Sequence, residues 1–159
     1  MRLNTLVFLI DRGNKEILLA MKKRGFGAGK LNGLGGKVAE GESIPAAAVR
    51  EVKEEAQVTV EEKDLVKVAQ IFFYFKEHPD WNIDCRVFFA EHFKGEPTET
   101  EEMAPEWFDF EAIPYERMWT DDKYWLPRVL AGEYLTAEFH FNGTGESFSE
   151  YKIHGVKAV

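Results

Sequence analysis

The sequence predicts an α/β fold in which a mixed, largely antiparallel sheet packs between helices. Three observations predict it. Short apolar runs of strand character recur along the whole chain. Only two segments, 43–56 and 120–132, have helical composition. Turn-forming residues punctuate the stretches between them.

The elements follow in order. Residues 3–10 and 16–22 are apolar runs joined by DRGNKE, which predicts a hairpin or a short turn between strands. KKRGFGAGKLNGLGGK comes next, with six glycines from Gly25 to Gly36. That density excludes a regular element and suits tight backbone bends. A helix is predicted over 43–56: Ser43 can cap it, Pro45 lies in its first turn, and AAAVREVKEEA is rich in helix formers. Ile44, Ala47, Ala48 and Val52 form its apolar side. Strands are predicted at 67–75 and 84–92, and a shorter one in WFDF at 107–110. Phe72 and Phe73 then point to opposite faces, so only one can line a given pocket. TDDKYWLPRVLAG, 120–132, predicts a second helix capped at Thr120 or Asp121 and stopped at Gly132. The tail EFHFNGTGESFSEYKI alternates around an NGTG turn and predicts a C-terminal β-hairpin.

Composition narrows the class. A chain of 159 residues, 45% hydrophobic with thirteen Phe and four Trp, is expected to form one domain over 1–159 with a well-filled core. The net charge of -8 argues against a nucleic-acid polymer or an anionic membrane as partner. A small anionic ligand stays open, because a metal ion can bring one in. The lone Cys85 excludes an internal disulfide, suits a reducing compartment and is expected to pack as a small buried residue. The apolar N-terminal run meets charge at Asp11, too soon for a membrane span, and lacks a cleavage pattern. His78, His92, His140 and His154 show no metal-cluster spacing. A cytoplasmic protein is expected.

The chemistry concentrates in REVKEE, 50–55. Glu51, Glu54 and Glu55 stand at i, i+3 and i+4 and share one helix face. Like charges repel there, so the face is either merely solvated or meets something cationic. Carboxylates suit hard divalent cations, which complete their shells with water and phosphate oxygens. Arg50 keeps its proton and is expected to fix carboxylate rotamers, with Glu42 as its loop partner.

Extended backwards and forwards, the stretch GKVAEGESIPAAAVREVKEEAQV resembles the Nudix box, G-x5-E-x7-R-E-U-x-E-E-x-G-U, with U apolar. One position departs: Gln57 stands where the family has glycine, so the helix would end without the residue that best tolerates a left-handed conformation. The resemblance implies the Nudix fold, an α/β/α sandwich, and hydrolysis of a nucleoside diphosphate linked to a group X. It implies magnesium, with manganese able to substitute. Glu51, Glu54, Glu55, the Gly35 carbonyl and Glu102 from TETEEM are the implied metal ligands. Gly36 and Lys37 are implied phosphate contacts, Arg50 supports the catalytic carboxylates, and the general base is Glu51 or Glu55.

MKKRGFGAGKLNGLGGK (21–37), QIFFYF (70–75), EMAPEWF (102–108), IPYERMW (113–119) and MWTDDKYWLP (118–127) are similar to the MutT-homologue branch of that family, which acts on oxidised purine nucleoside triphosphates. That similarity implies a purine pocket. Asn32, Asp121 and Asp122 would bond the base edge and Trp119 would stack on its face. Phe73 would line the pocket, with Phe26, Thr5 and Lys22 at the rim. Two adjacent acids, one protonated and one ionised, can match different donor–acceptor patterns. From TDD alone, the same acids could instead cap the second helix, and Trp125 reads as a core aromatic. Leu31 stands where the branch has an aromatic residue, and EHPDWNI (77–83) differs from it in length and character. The expected activity converts 8-oxo-dGTP or 2-oxo-dATP to monophosphate and pyrophosphate, sanitising the nucleotide pool, in a monomer. The alternatives are a Nudix enzyme for another substrate (a nucleotide sugar, a dinucleoside polyphosphate or a capped RNA) and a non-catalytic nucleotide sensor.

Overall fold

The computed structural model describes residues 1–159. β1 (Arg2–Asp11) and β2 (Glu16–Lys22) form the expected hairpin, but they pair only at Ile10 with Ile17 and Asp11 with Glu16. Below that point the two strands part. β1 runs parallel to a later strand, β5 (Ile83–Ala90), from Arg2 opposite Ile83 to Leu9 opposite Ala90. β2 pairs along its length with β6 (Met103–Asp109) and at its end with the two-residue β3 (Leu31–Asn32). The glycine-rich stretch is therefore not wholly irregular. β5 pairs antiparallel with β4 (Leu65–Phe75), β4 parallel with β7 (Tyr134–Asn142), and β7 antiparallel with β8 (Ser147–Val156). The order β3-β2-β1-β5-β4-β7-β8, with β6 on β2, is the mixed, largely antiparallel sheet that the sequence predicts, with five antiparallel pairs and two parallel ones. Both parallel pairs join strands distant in sequence, which local turn signals cannot reveal.

Strand alternation divides the apolar residues into two cores. Phe8, Ile10, Ile17, Leu19, Val87 and Phe89 face one side of the sheet. Val7, Leu9, Leu18, Ala20, Phe88 and Ala90 face the other. The helix α1 (Ile44–Ala56) seals the second core with Ala48, Val52 and Ala56. The helix α2 (Asp122–Leu130) seals the first with Trp125, Leu126 and Val129. Cys85 is buried in the α2 core, as a small apolar residue would be.

The ends of the elements have local causes. Ser43 caps α1, its Oγ accepting from the Ala46 amide at 3.2 Å. Asp121 occupies the capping position of α2 but makes no capping bond, so the capping role read from TDD is not realised. β6 begins at Met103, four residues before WFDF. Pro105 disguises it as a loop, yet Pro105 lies opposite Ala20 on a strand at the sheet margin, where a missing donor is tolerated. β4 starts at Leu65 and β5 stops at Ala90, two residues from each predicted end. No helix is long and apolar enough to cross a membrane.

α1 ends at Gln57, whose φ of 60° and ψ of 30° are left-handed, with its amide donating to the Lys53 carbonyl. A side chain in that region is strained by ~1 kcal/mol. Gln57→Gly is expected to stabilise the fold by up to ~1 kcal/mol, a rise of roughly 2–4 °C in Tm by calorimetry. A lower Tm would show that glycine's added freedom in the unfolded chain outweighs the relief.

Candidate active site

The site begins with a glycine loop lying flat on β1. Thr5 and Val7 donate to the carbonyls of Gly36 and Leu34 at 2.9 and 2.6 Å, and Val38 donates to Leu3 at 2.9 Å. A Cβ at Gly35 would run into the Thr5 carbonyl, and one at Gly36 would lie 2.6 Å from a Glu51 carboxylate oxygen. Only bare backbone fits between the strand and the helix that follows. The approach delivers the Gly35 amide to Glu55 Oε1 at 2.8 Å.

Arg50 organises the carboxylates. Its Nε and one terminal nitrogen donate to the two oxygens of Glu42 at 2.8 and 2.9 Å. The other terminal nitrogen donates to Glu51 at 3.0 Å and Glu54 at 3.2 Å. A further bond reaches the Lys37 carbonyl at 3.2 Å and ties loop to helix. The guanidinium beside Glu42 holds that carboxyl down at about 2. Burial pushes Glu51 upward, against the pull of Arg50. Burial pushes Glu55 to about 8; the Gly35 amide opposes this, while the charges of Glu51 and Glu102 add to it. Glu54 and Glu102 are exposed.

This is an all-oxygen donor set with a surplus of negative charge. No three acidic, histidine or cysteine side chains converge tightly enough to enclose a metal ion unaided. A cation here would take backbone, water and ligand oxygens for the rest of its shell. Magnesium is habitually held in that way, so the donor set fits a hard divalent ion.

Beside the carboxylates opens a cavity of about 200 Å³. Its walls include Glu55, Gly35, Gly36, Thr5 and Lys22, together with Asn32, Phe73, Trp119, Asp121, Asp122 and Phe26. Thus the sixteen predicted positions divide clearly, eleven lining the cavity and five, Arg50 among them, outside it. Phe73 faces the cavity, while Phe72 does not line it. Lys37, exposed and paired through its backbone with Asn4, stands outside the cavity. Glu51, Glu54 and Glu102 also lie outside its walls, around Glu55.

The acid pair is buried in the cavity wall. Trp125 Nε1 donates to Asp121 Oδ2 at 2.8 Å, so this core aromatic also serves the pocket. An indole N–H can only donate, which favours the ionised form of Asp121. Burial nevertheless raises Asp121 to about 6. Asp122 is pushed well above the carboxylate range by burial and then by the charge of Asp121. Burial and mutual repulsion favour a proton shared by the pair, and the Trp125 donor favours the ionised form of Asp121. Asp122 Oδ2 has no partner, and neither has Asn4 Oδ1 or Thr5 Oγ1, all buried on cavity-lining residues. Buried polar atoms without partners are uncommon, and at the wall of a cavity they mark places for a polar ligand. Sequence reasoning missed Lys30, whose ammonium lies 5.3 Å above the Trp119 ring and lowers Asp122, and it missed Asn4 and Met103 in the walls. The lysine carried no motif to flag it.

Known proteins resemble this chain in sequence and in fold. The family model described as NUDIX domain matches residues 1–129. A Danio rerio protein named oxidized purine nucleoside triphosphate hydrolase is 45% identical over 156 residues, 98% of this chain and 96% of the relative. A Mus musculus protein of the same name is 46% identical over 140 residues, 88% and 86% of the two chains. The crystal structure of a MutT protein from Bacillus halodurans superposes with a TM-score of 0.82 at 24% identity, covering 96% of this chain and 97% of that one, which speaks for the fold. With its box, its loop-on-strand geometry and near-full-length relatives in agreement, the chain belongs to the Nudix family.

Proposed function

We propose that this protein is a magnesium-dependent hydrolase of oxidised purine nucleoside triphosphates, with 8-oxo-dGTP and 2-oxo-dATP as substrates. The observation that carries the reading is one cavity lined both by a buried acid pair and by the Glu55 carboxylate. The names of the fish and mouse relatives support the same substrate class.

A bound magnesium ion, or manganese in its place, supplies neutralisation of phosphate charge and a lowered pKa for water. The residues do the rest. Glu51, Glu54, Glu55 and Glu102, with the Gly35 carbonyl, form the oxygen set that holds the cation. Arg50 keeps Glu51 and Glu54 in register through its bonds to both. Glu55, the carboxylate of this set that lines the cavity, is assigned the proton of the attacking water. Water adds at the β-phosphorus, the bridging P–O bond breaks, and the monophosphate leaves with pyrophosphate as the second product. Gly36 and Lys22 contact the polyphosphate side, and Thr5 closes the wall between phosphate and base. Lys37 reaches phosphate only outside the cavity. Asn32, Asp121 and Asp122 read the base edge: protonated Asp122 donates, ionised Asp121 accepts, and a shift of the proton within the pair exchanges the roles. Trp119 stacks on the base, with Phe73 and Phe26 as apolar walls. We assign the protein to the cytoplasm as a monomer acting on free nucleotides.

Glu55→Gln is expected to lower kcat roughly 10²–10³-fold while nucleotide affinity changes little; near-wild-type turnover would remove Glu55 from the chemistry. Asp122→Asn or Asp121→Asn is expected to lower kcat/KM for 8-oxo-dGTP by about 10- to 100-fold, the worth of a hydrogen bond to a charged group. The loss on unmodified dGTP should be smaller, and equal losses on both nucleotides would refute base reading by the pair.

The raised Glu55 also sets a pH dependence. Between its ordinary value of 4.5 and its folded value of about 8, the folded chain holds a proton that the unfolded chain has lost. Stability contributed by that proton is present below 4.5 and is lost as pH rises towards 8. In chelator, Tm is expected to fall by several degrees from pH 5 to 8; magnesium should restore more at pH 8 than at pH 6, and Glu55→Gln should make the profile shallower, leaving the part set by the raised Asp121 and Asp122. A flat wild-type profile would contradict this.

A further inference from the structure

The turn between β4 and β5 carries an aromatic assembly that the proposed chemistry does not use. Trp81 sits in a short 3-10 turn, Pro79–Trp81, within the EHPDWNI stretch. Its position is fixed from several sides. His78 lies flat on the indole, 3.9 Å between ring centres at 13°. Phe75 meets it edge-on at 5.7 Å. The turn itself is pinned: Asn82 Oδ1 accepts from the Phe75 amide at 2.7 Å, and the Asn82 carbonyl accepts from Arg2 at 2.9 Å. Glu77 accepts from the Gly143 amide at 2.9 Å, which joins the turn to the β7–β8 hairpin.

Phe26 is the opposite case. It stands on the loop between β2 and β3, flanked by Gly25 and Gly27 with φ of 83° and 84°. Such a backbone reorients at little steric cost. The ring is 45% exposed, yet it lines the cavity. Other rings hold it in place: Trp119 at 5.3 Å, Trp81 at 5.3 Å and Phe75 at 6.1 Å. A movable ring thus lies between a pocket residue and a fixed shelf.

We propose that Trp81 is a positioning residue for nucleotide binding: it braces Phe26 where that ring closes the mouth of the pocket. Trp81 does not line the cavity, so it acts through Phe26. Nucleotide enters when Phe26 leaves the shelf and is retained when the ring returns. The inference rests on the substrate reading above and adds a determinant of affinity and release, located in the stretch where this chain differs from the branch it resembles.

The test is a double-mutant cycle on Trp81→Ala and Phe26→Ala, with Trp81→Phe as the conservative control. It is read as the Kd of the monophosphate 8-oxo-dGMP by calorimetry, and as KM and kcat for 8-oxo-dGTP. Trp81→Ala is expected to raise Kd and KM roughly three- to tenfold, the worth of one or two aromatic contacts, with kcat unchanged or modestly raised. Trp81→Phe should restore most of the affinity. Phe26→Ala should resemble Trp81→Ala, and the double variant should be no weaker than Phe26→Ala alone. Additive losses, an unchanged Kd, or a fall in kcat at constant KM would overturn the role of Trp81. Wild-type protein that neither binds 8-oxo-dGMP nor turns over 8-oxo-dGTP would overturn the substrate reading and this inference with it. Wild-type binding with additive variants would overturn this inference alone.

Discussion

Everything in the site depends on one close approach, the backbone of residues 33–38 laid against β1. Side chains at Gly35 and Gly36 would separate loop from strand or push Glu51 away. With the loop in place, α1 is anchored at a fixed distance from the sheet, and its Glu55 carboxylate meets the Gly35 amide and the wall of the cavity. The same strand carries Asn4 and Thr5, whose buried polar atoms face no protein partner. Strand, loop and helix therefore form one rigid corner, and the cavity is built against it.

Charge is the second organising theme. The chain is already at -8, and its site gathers further acids in two places. At one place a single guanidinium binds three glutamates, yet Glu55 keeps a raised affinity for protons. At the other, two adjacent buried acids have one indole donor between them. Neither place is electrostatically satisfied by protein alone. Each has a raised affinity for a proton: at Glu55 a bound cation would displace it, whereas on the proposed reading the acid pair would keep its proton and donate it to the base. Proteins tolerate such frustration at functional sites, where the ligand completes what the fold leaves open.

Much of this was legible in the residues. The helix 43–56 with its Ser43 cap, the C-terminal hairpin and the partnership of Arg50 with Glu42 follow from local pattern. The left-handed end at Gln57 was readable as a departure from the box. What escaped was non-local. β1 divides its pairing between β2 and β5, and nothing within its apolar run announces the change of partner. Pro105 hid half of β6. Asp121 gave its side chain to Trp125 in preference to the helix amides, a choice decided by burial. Lys30 and Trp81 become notable only when the fold brings Trp119 and Phe26 beside them.

The two cores on opposite faces of the sheet give the molecule a division of labour. The carboxylate helix rests on one core; the acid pair and the indole that supports it belong to a helix resting on the other. Repacking beneath α2 can reshape the base pocket without disturbing α1, since the two interiors meet only through the sheet. A lineage of such chains could exchange the compound it recognises while its hydrolytic apparatus stays constant.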